Sequence, residues 1–221
     1  MQASTTMRIQ TFVIGIALAL ALLLFAKRHT ESAPHTPFRA VIDLTSSESK
    51  GTTGIEAPGR LVPGMWIVDE IPPERLIAPL VVLDVSAAVS NDPQYEISVE
   101  DIAAWEQAHG QVPLGAVVLA RTEADRSRNR SPQLPAFSAD ATKFLVEGRY
   151  AIGLGIDTAM LDSGSSKQAA TYQYALAHGL YLLKNVANLD RVPASGAIAM
   201  VAPIKLPGVS EAPARLMALV W

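Results

Sequence analysis

Four histidines, at 29, 35, 109 and 178, and 21 carboxylates are the side chains from which this 221-residue chain could build a reacting centre. There is no cysteine, which removes thiolate metal sites, cysteine nucleophiles and disulfides together. His29 and His35 flank Pro34 in a polar stretch, and His109 precedes a glycine at the foot of a helical pattern. His178 has no histidine or carboxylate beside it and reads as a satisfied core or interface side chain rather than a ligand. Asp157 and Asp162 read as strand-end and turn residues. Gly153-Leu154-Gly155 lies within a strand pattern and lacks the third glycine of a dinucleotide fingerprint. Arg121, Arg126, Arg128 and Arg130 could meet acidic head groups or an acidic partner. Glu123 and Asp125 interrupt them, however, and Ser127, Asn129, Ser131 and Pro132 give the stretch the character of a solvated loop. With a net charge of −3 the chain is no general nucleic-acid binder. No serine–histidine–aspartate set and no phosphate loop is visible.

The elements that would have to position any site follow an alternating pattern. An uncharged apolar run from Thr11 to Ala26 stands between Arg8 and the pair Lys27-Arg28. It suits a signal peptide or signal anchor over 1–28, short for a full span of about 20 residues. A mean hydropathy of +0.23 points to such a segment, and cleavage sites are poor because Lys27 or Pro34 would follow them. The expectation is therefore a membrane-anchored, exported domain, or a secreted or periplasmic one if the signal is cleaved. A linker over 29–38 leads to one domain over 39–221. Strands are expected at Ala40–Leu44, Leu76–Val85, Ala116–Ala120, Ala151–Ile156, Ala197–Ala202 and Leu216–Val220. The continuous apolar content of Leu76–Val85 predicts a sheet covered on both faces. Ser98 with Asp101 predicts a capped helix ending at His109-Gly110, Ser138 caps a second through Glu147, and a late helix is expected over Ala169–Val186. The class is α/β in the mixed α+β sense.

Several phrases are more specific. Val68–Pro79 (VDEIPPERLIAP) resembles a segment of the cyclase family of metal-dependent hydrolases, which includes kynurenine formamidase and isatin hydrolase. Ile97–Gly110, Gly153–Asp162, Asn185–Pro193 and Pro213–Leu219 agree with it in order and spacing, so the resemblance runs from Arg39 to the C-terminus. It implies a swivelling β/β/α-type fold, usually a homodimer. Its active members hydrolyse amides or lactams with water activated by zinc or manganese.

The same resemblance places the metal ligands in a His-x-Gly-Thr-His-x-Asp-x-Pro-x-His segment, followed by a His and a Glu twelve residues apart. Here those positions hold Lys50, Gly54, Glu56, Arg60, Tyr172 and Lys184, and Glu56 alone is a ligand type. The long segment that the family carries before this motif is reduced to Ser46–Ser49, which could leave an exposed sheet edge, an open pocket or a need for a partner. A Gly-Trp pair after the central strand is Glu123-Ala124, and a His-Phe-Pro-Gly-Phe-like run is Gln133–Phe137. No cofactor is expected. If Lys50, Arg60 and Lys184 point into the former metal cavity with Glu56, positive charge is in excess there, and a small carboxylate or aromatic acid is the ligand class it would take. The alternative is that these long side chains turn outward. The expected function is thus a ligand- or protein-binding homologue without the family's hydrolysis. A hydrolase of the kynurenine formamidase type with a rebuilt site remains the other reading.

Overall fold

The computed structural model describes residues 37–46, 51–124, 134–159 and 166–221, and Phe38–Trp221 form one compact unit. Lys50, Asp162, Arg126, Arg128, Arg130, His29, His35, the apolar run and nearly all of the linker lie outside the described residues. The strands are β1 (Ala40–Asp43), β2 (Gly54–Glu56), β3 (Ile77–Asp84), β4 (Glu96–Ile97), β5 (Val117–Arg121), β6 (Ala136–Phe137), β7 (Gly153–Ile156), β8 (Tyr181–Lys184), β9 (Ala197–Pro203) and β10 (Glu211–Val220). The helices are α1 (Ser86–Asn91), α2 (Val99–His109), α3 (Ala139–Lys143), continued by a π-helical turn at Phe144–Gly148, and α4 (Ser166–Ala177). Among the described residues no helix is long and apolar enough to cross a membrane.

Seven strands close into a barrel in the order β10-β2-β8-β7-β5-β3-β9 and back to β10. Closure depends on the length of β10. One edge pairs with β9 over Ala214–Val220, while the other takes β2 at Glu211–Pro213 and β1 at Met217–Val220. Strands β3, β5, β7 and β8 run parallel, and the short β4 and β6 pair apart from the barrel. The mixed α+β class expected from the sequence is the one observed.

Alternation along the strands divides the core. Leu80 and Val82 of β3 join Leu119, Tyr181, Leu183 and Leu216 inside the barrel. Val81 and Leu83 face the other way, with Val118 and Ile156, onto Ile102, Trp105, Leu145 and Leu176 of the helical layer. Burial on both faces is what the unbroken apolar run of β3 demands. The cap of α2 also forms as expected: Ser98 Oγ accepts from Asp101 N at 3.2 Å, and the Asp101 carboxylate accepts from Ser98 N at 2.7 Å. Trp105 Nε1 then donates to Val82 O at 3.0 Å and ties that helix to β3.

The late helix departs from expectation. It stops at Ala177 rather than running to Val186, and Tyr181–Lys184 is a strand. The break is a Schellman motif, in which Gly179 (φ +77°) donates to Leu176 O at 3.0 Å and Leu180 N to Ala175 O at 3.1 Å. The apolar residues beyond it are equally compatible with either period, so the glycine alone carried the signal.

The expected exposed edge does not arise in the barrel at the connection before β2, whose ends are paired. Ser46 N donates to Thr53 Oγ1 at 2.7 Å, Thr53 N to Ser46 O at 3.3 Å, and Thr53 Oγ1 to Asn185 O at 2.7 Å. β1 and β2 thereby lie end to end along one side of β10. On the outer side of β1, Asp43 O and Leu44 O accept from Asn188 and Ala187, but no strand pairs with Ala40–Ile42 there among the described residues.

Candidate functional site

Register brings the motif positions together. β2 runs antiparallel to β8 with Gly54 opposite Lys184, and a Cβ at Gly54 would stand 3.3 Å from Lys184 Cε, so the glycine leaves room for the lysine stem. Lys184 Nζ donates to Glu56 Oε1 at 3.0 Å. Arg60, on the 3-10 turn Pro58–Arg60 directly after β2, places Nε 3.5 Å from Glu56 Oε2. Glu211, the first residue of β10, pairs with both Lys184 and Arg60. Glu56 is nearly buried, its side chain 9% exposed, against 24% for Lys184 and 39% for Arg60 and Glu211. Thr52, Thr53, Gly54, Lys184, Glu211 and Pro213 line an open cavity of ≈ 300 Å³ beside the cluster.

Of the six motif positions, Gly54, Glu56, Arg60 and Lys184 therefore meet. Tyr172 lies on α4 and packs against the helix-side core, while Lys184 is on β8 and not on that helix. Glu211 is the member that sequence reasoning missed. It is the first residue of β10, where nothing local marks it. With it the described cluster holds two cations and two carboxylates, so Arg60 and Lys184 leave no excess positive charge among the described residues, and Lys50, the third cation of the expected set, lies outside them.

The electrostatics follow from this pairing. Burial works against the Lys184 ammonium, but hydrogen bonds to Glu211 and Glu56 outweigh it and hold its pKa above the ordinary 10.5. Burial likewise opposes the Glu211 carboxylate, and Lys184 and Arg60 overcome it, holding the group below the ordinary 4.5. The stabilisation from Glu211 is accordingly present above about pH 4.5 and lost as pH falls through its lowered pKa. That from Lys184 is complete below 10.5 and lost as pH rises through its raised pKa. Urea midpoints recorded across acid pH are expected to fall less steeply in Glu211→Gln than in the parent chain. Equal slopes would show that the carboxylate is not held by its partners.

A second polar group gathers at the C-terminal ends of the parallel strands. Arg121 bridges Asp84, at 2.6 Å, and Glu123. Asp157, just past β7 as expected of a strand-end residue, accepts from Thr122 N at 2.8 Å, Thr122 Oγ1 at 2.5 Å and Glu123 N at 2.9 Å. Its oxygens thus hold the turn after β5. His178 is exposed at the end of α4 rather than in the core, its Nδ1 2.8 Å from Tyr174 O and its ring 4.0 Å from that of Tyr174. His109 stacks on Trp105 at 5.1 Å.

Zinc or manganese needs neutral imidazoles and free carboxylates. The assembled positions offer one carboxylate already engaged by an ammonium, a glycine and a guanidinium. Among the described residues no three His, Asp or Glu side chains are grouped to share an ion. These residues do not fit a divalent metal.

The geometry can be set beside known proteins. A family model described as a putative cyclase matches residues 15–163. The chain is 30% identical over 202 residues to an isatin hydrolase of Roseibium aggregatum, covering 83% of this chain and 76% of that protein. It is 34% identical over 110 residues to a kynurenine formamidase of Polaromonas naphthalenivorans, covering 49% of this chain and 47% of that one. In structure it is similar to isatin hydrolase A from Labrenzia aggregata bound to benzyl benzoate, with TM-score 0.70, 29% identity and 82% of each chain covered.

Proposed function

Because this chain belongs to the cyclase family, and is isatin hydrolase- and kynurenine formamidase-like within it, we propose that it keeps that scaffold as a binding protein and does not hydrolyse amides through a metal ion. The observation that carries this reading is the Lys184 ammonium 3.0 Å from Glu56. At that place the positive charge is supplied by the chain itself. An incoming divalent cation would have to displace the Lys184 ammonium and the Arg60 guanidinium before Glu56 or Glu211 could ligate it. Glu56 and Glu211 each serve both cations, so neither is free to activate a water. What it can do is exchange partners. A small carboxylate or aromatic acid can take the place of Glu211, the more exposed of the two glutamates, on Lys184 and Arg60.

The test is bound metal per folded chain. Full-length protein equilibrated with zinc and with manganese, then freed of excess, is expected to carry far less than one ion per chain by elemental mass spectrometry. Near-stoichiometric metal would overturn the proposal and call for assays on formamides and cyclic amides.

A further inference from the structure

The chain enters the described domain carrying aromatic rings on its surface. Phe38 and Trp221 stand with ring centroids 4.8 Å apart. Trp221 is 64% exposed and Val41 49%, Phe38 is half-buried, and Arg39, between Phe38 and Val41 in sequence, is exposed. Ala40 pairs with Val220 and Val41 with Leu219, so all of these residues gather at one end of the β1–β10 pair. An indole set mainly against one phenyl ring leaves unburied much of the area that makes tryptophan useful in a core. The residues before Phe38 indicate what covers it. The run Thr11–Ala26 is uncharged and apolar, with Lys27 and Arg28 closing it. The residues from His29 to Phe38 reach about 35 Å at full extension. Phe38 is therefore tethered within that distance of the end of the run. Tryptophan rings favour the head-group level of a bilayer, and arginine beside them favours anionic phosphates.

We infer that Phe38, Arg39, Val41 and Trp221 form a lipid-facing patch that seats the domain on an anionic bilayer surface, the bilayer being the one into which the apolar run inserts. The rings enter the interface, Arg39 meets phosphate, and the short tether holds the patch at high local concentration there. This is independent of the Glu56–Lys184 cluster and stands or falls apart from the metal measurement.

Full-length protein reconstituted with vesicles of phosphatidylcholine and phosphatidylglycerol, part of it brominated at shallow acyl positions, reports on the patch through tryptophan emission. Quenching is expected, and most of it is expected to vanish in Trp221→Phe, whose circular dichroism and melting midpoint remain those of the parent. Quenching unchanged in that variant would assign it to Trp66 or Trp105 and overturn the proposal. Protein that floats with the vesicles without quenching would leave the run as an anchor and the patch in water, which also overturns it. Protein that does not float removes the run as a membrane segment and the proposal with it. A dimer by sedimentation that dissociates in Trp221→Phe would give the patch to a second copy instead.

Discussion

Replacing Lys184 by methionine is expected to destabilise the domain by roughly 3 kcal/mol, and replacing Lys184 by methionine together with Glu56 by leucine by about 1–2 kcal/mol less than that. The asymmetry follows from burial. Glu56 is nearly enclosed, its Oε2 has no hydrogen bond, and its Oε1 rests on the lysine ammonium. Without Lys184 the carboxylate keeps only the Arg60 guanidinium at 3.5 Å. Removing both members takes away the uncompensated charge, and Glu211 and Arg60 remain paired with each other. Urea unfolding of the two variants decides the matter. A double variant as unstable as the single one, or less stable, would show that the cluster is not neutralised internally.

Gly153→Ala is expected to cost about 3 kcal/mol although it adds a single methyl group, at the upper end of overpacking effects. A Cβ there would lie 2.5 Å from Tyr181 Cε2 and 2.8 Å from Cζ. The ring has nowhere to go: Tyr181 is fully buried inside the barrel and its hydroxyl donates to Arg75 O at 2.9 Å. Its burial also raises the phenol's pKa, so the neutral donor persists at ordinary pH. Gly148→Ala, whose Cβ would meet only the Phe144 ring edge at 3.7 Å, is the control and is expected to shift stability by less than about 0.5 kcal/mol. Combined with Tyr181→Leu, Gly153→Ala is expected to fall short of additivity by 1–2 kcal/mol. Additive losses would mean that the methyl group is accommodated elsewhere.

What the sequence disclosed depended on how local each signal was. Ser98 and Asp101 sit three positions apart and close one turn, so the cap of α2 was legible. The apolar continuity of β3 likewise foretold burial on both faces. β2 is three residues long and carries no periodicity, so the strand that presents Glu56 was not visible. The break after Ala177 rested on Gly179 in a stretch that is apolar on either side. The salt-bridge cluster was half legible. Lys184 and Glu56 lie 128 residues apart and were placed together by family resemblance, whereas Glu211 joins them only through the register of β10 with β2. An acid contributed by a strand end announces nothing in its own neighbourhood, yet Glu211 cancels the positive charge that Lys184 and Arg60 leave in excess over Glu56.

The paired ends of the connection between β1 and β2 make that point of the barrel a splice junction. Ser46 and Thr53 are clasped to each other, and Thr53 to Asn185, whatever runs between them. Chain inserted there meets only the entropy of closing a longer loop, about 0.6 kcal/mol for each doubling of its length. The barrel is thereby indifferent to how much chain runs between those two residues.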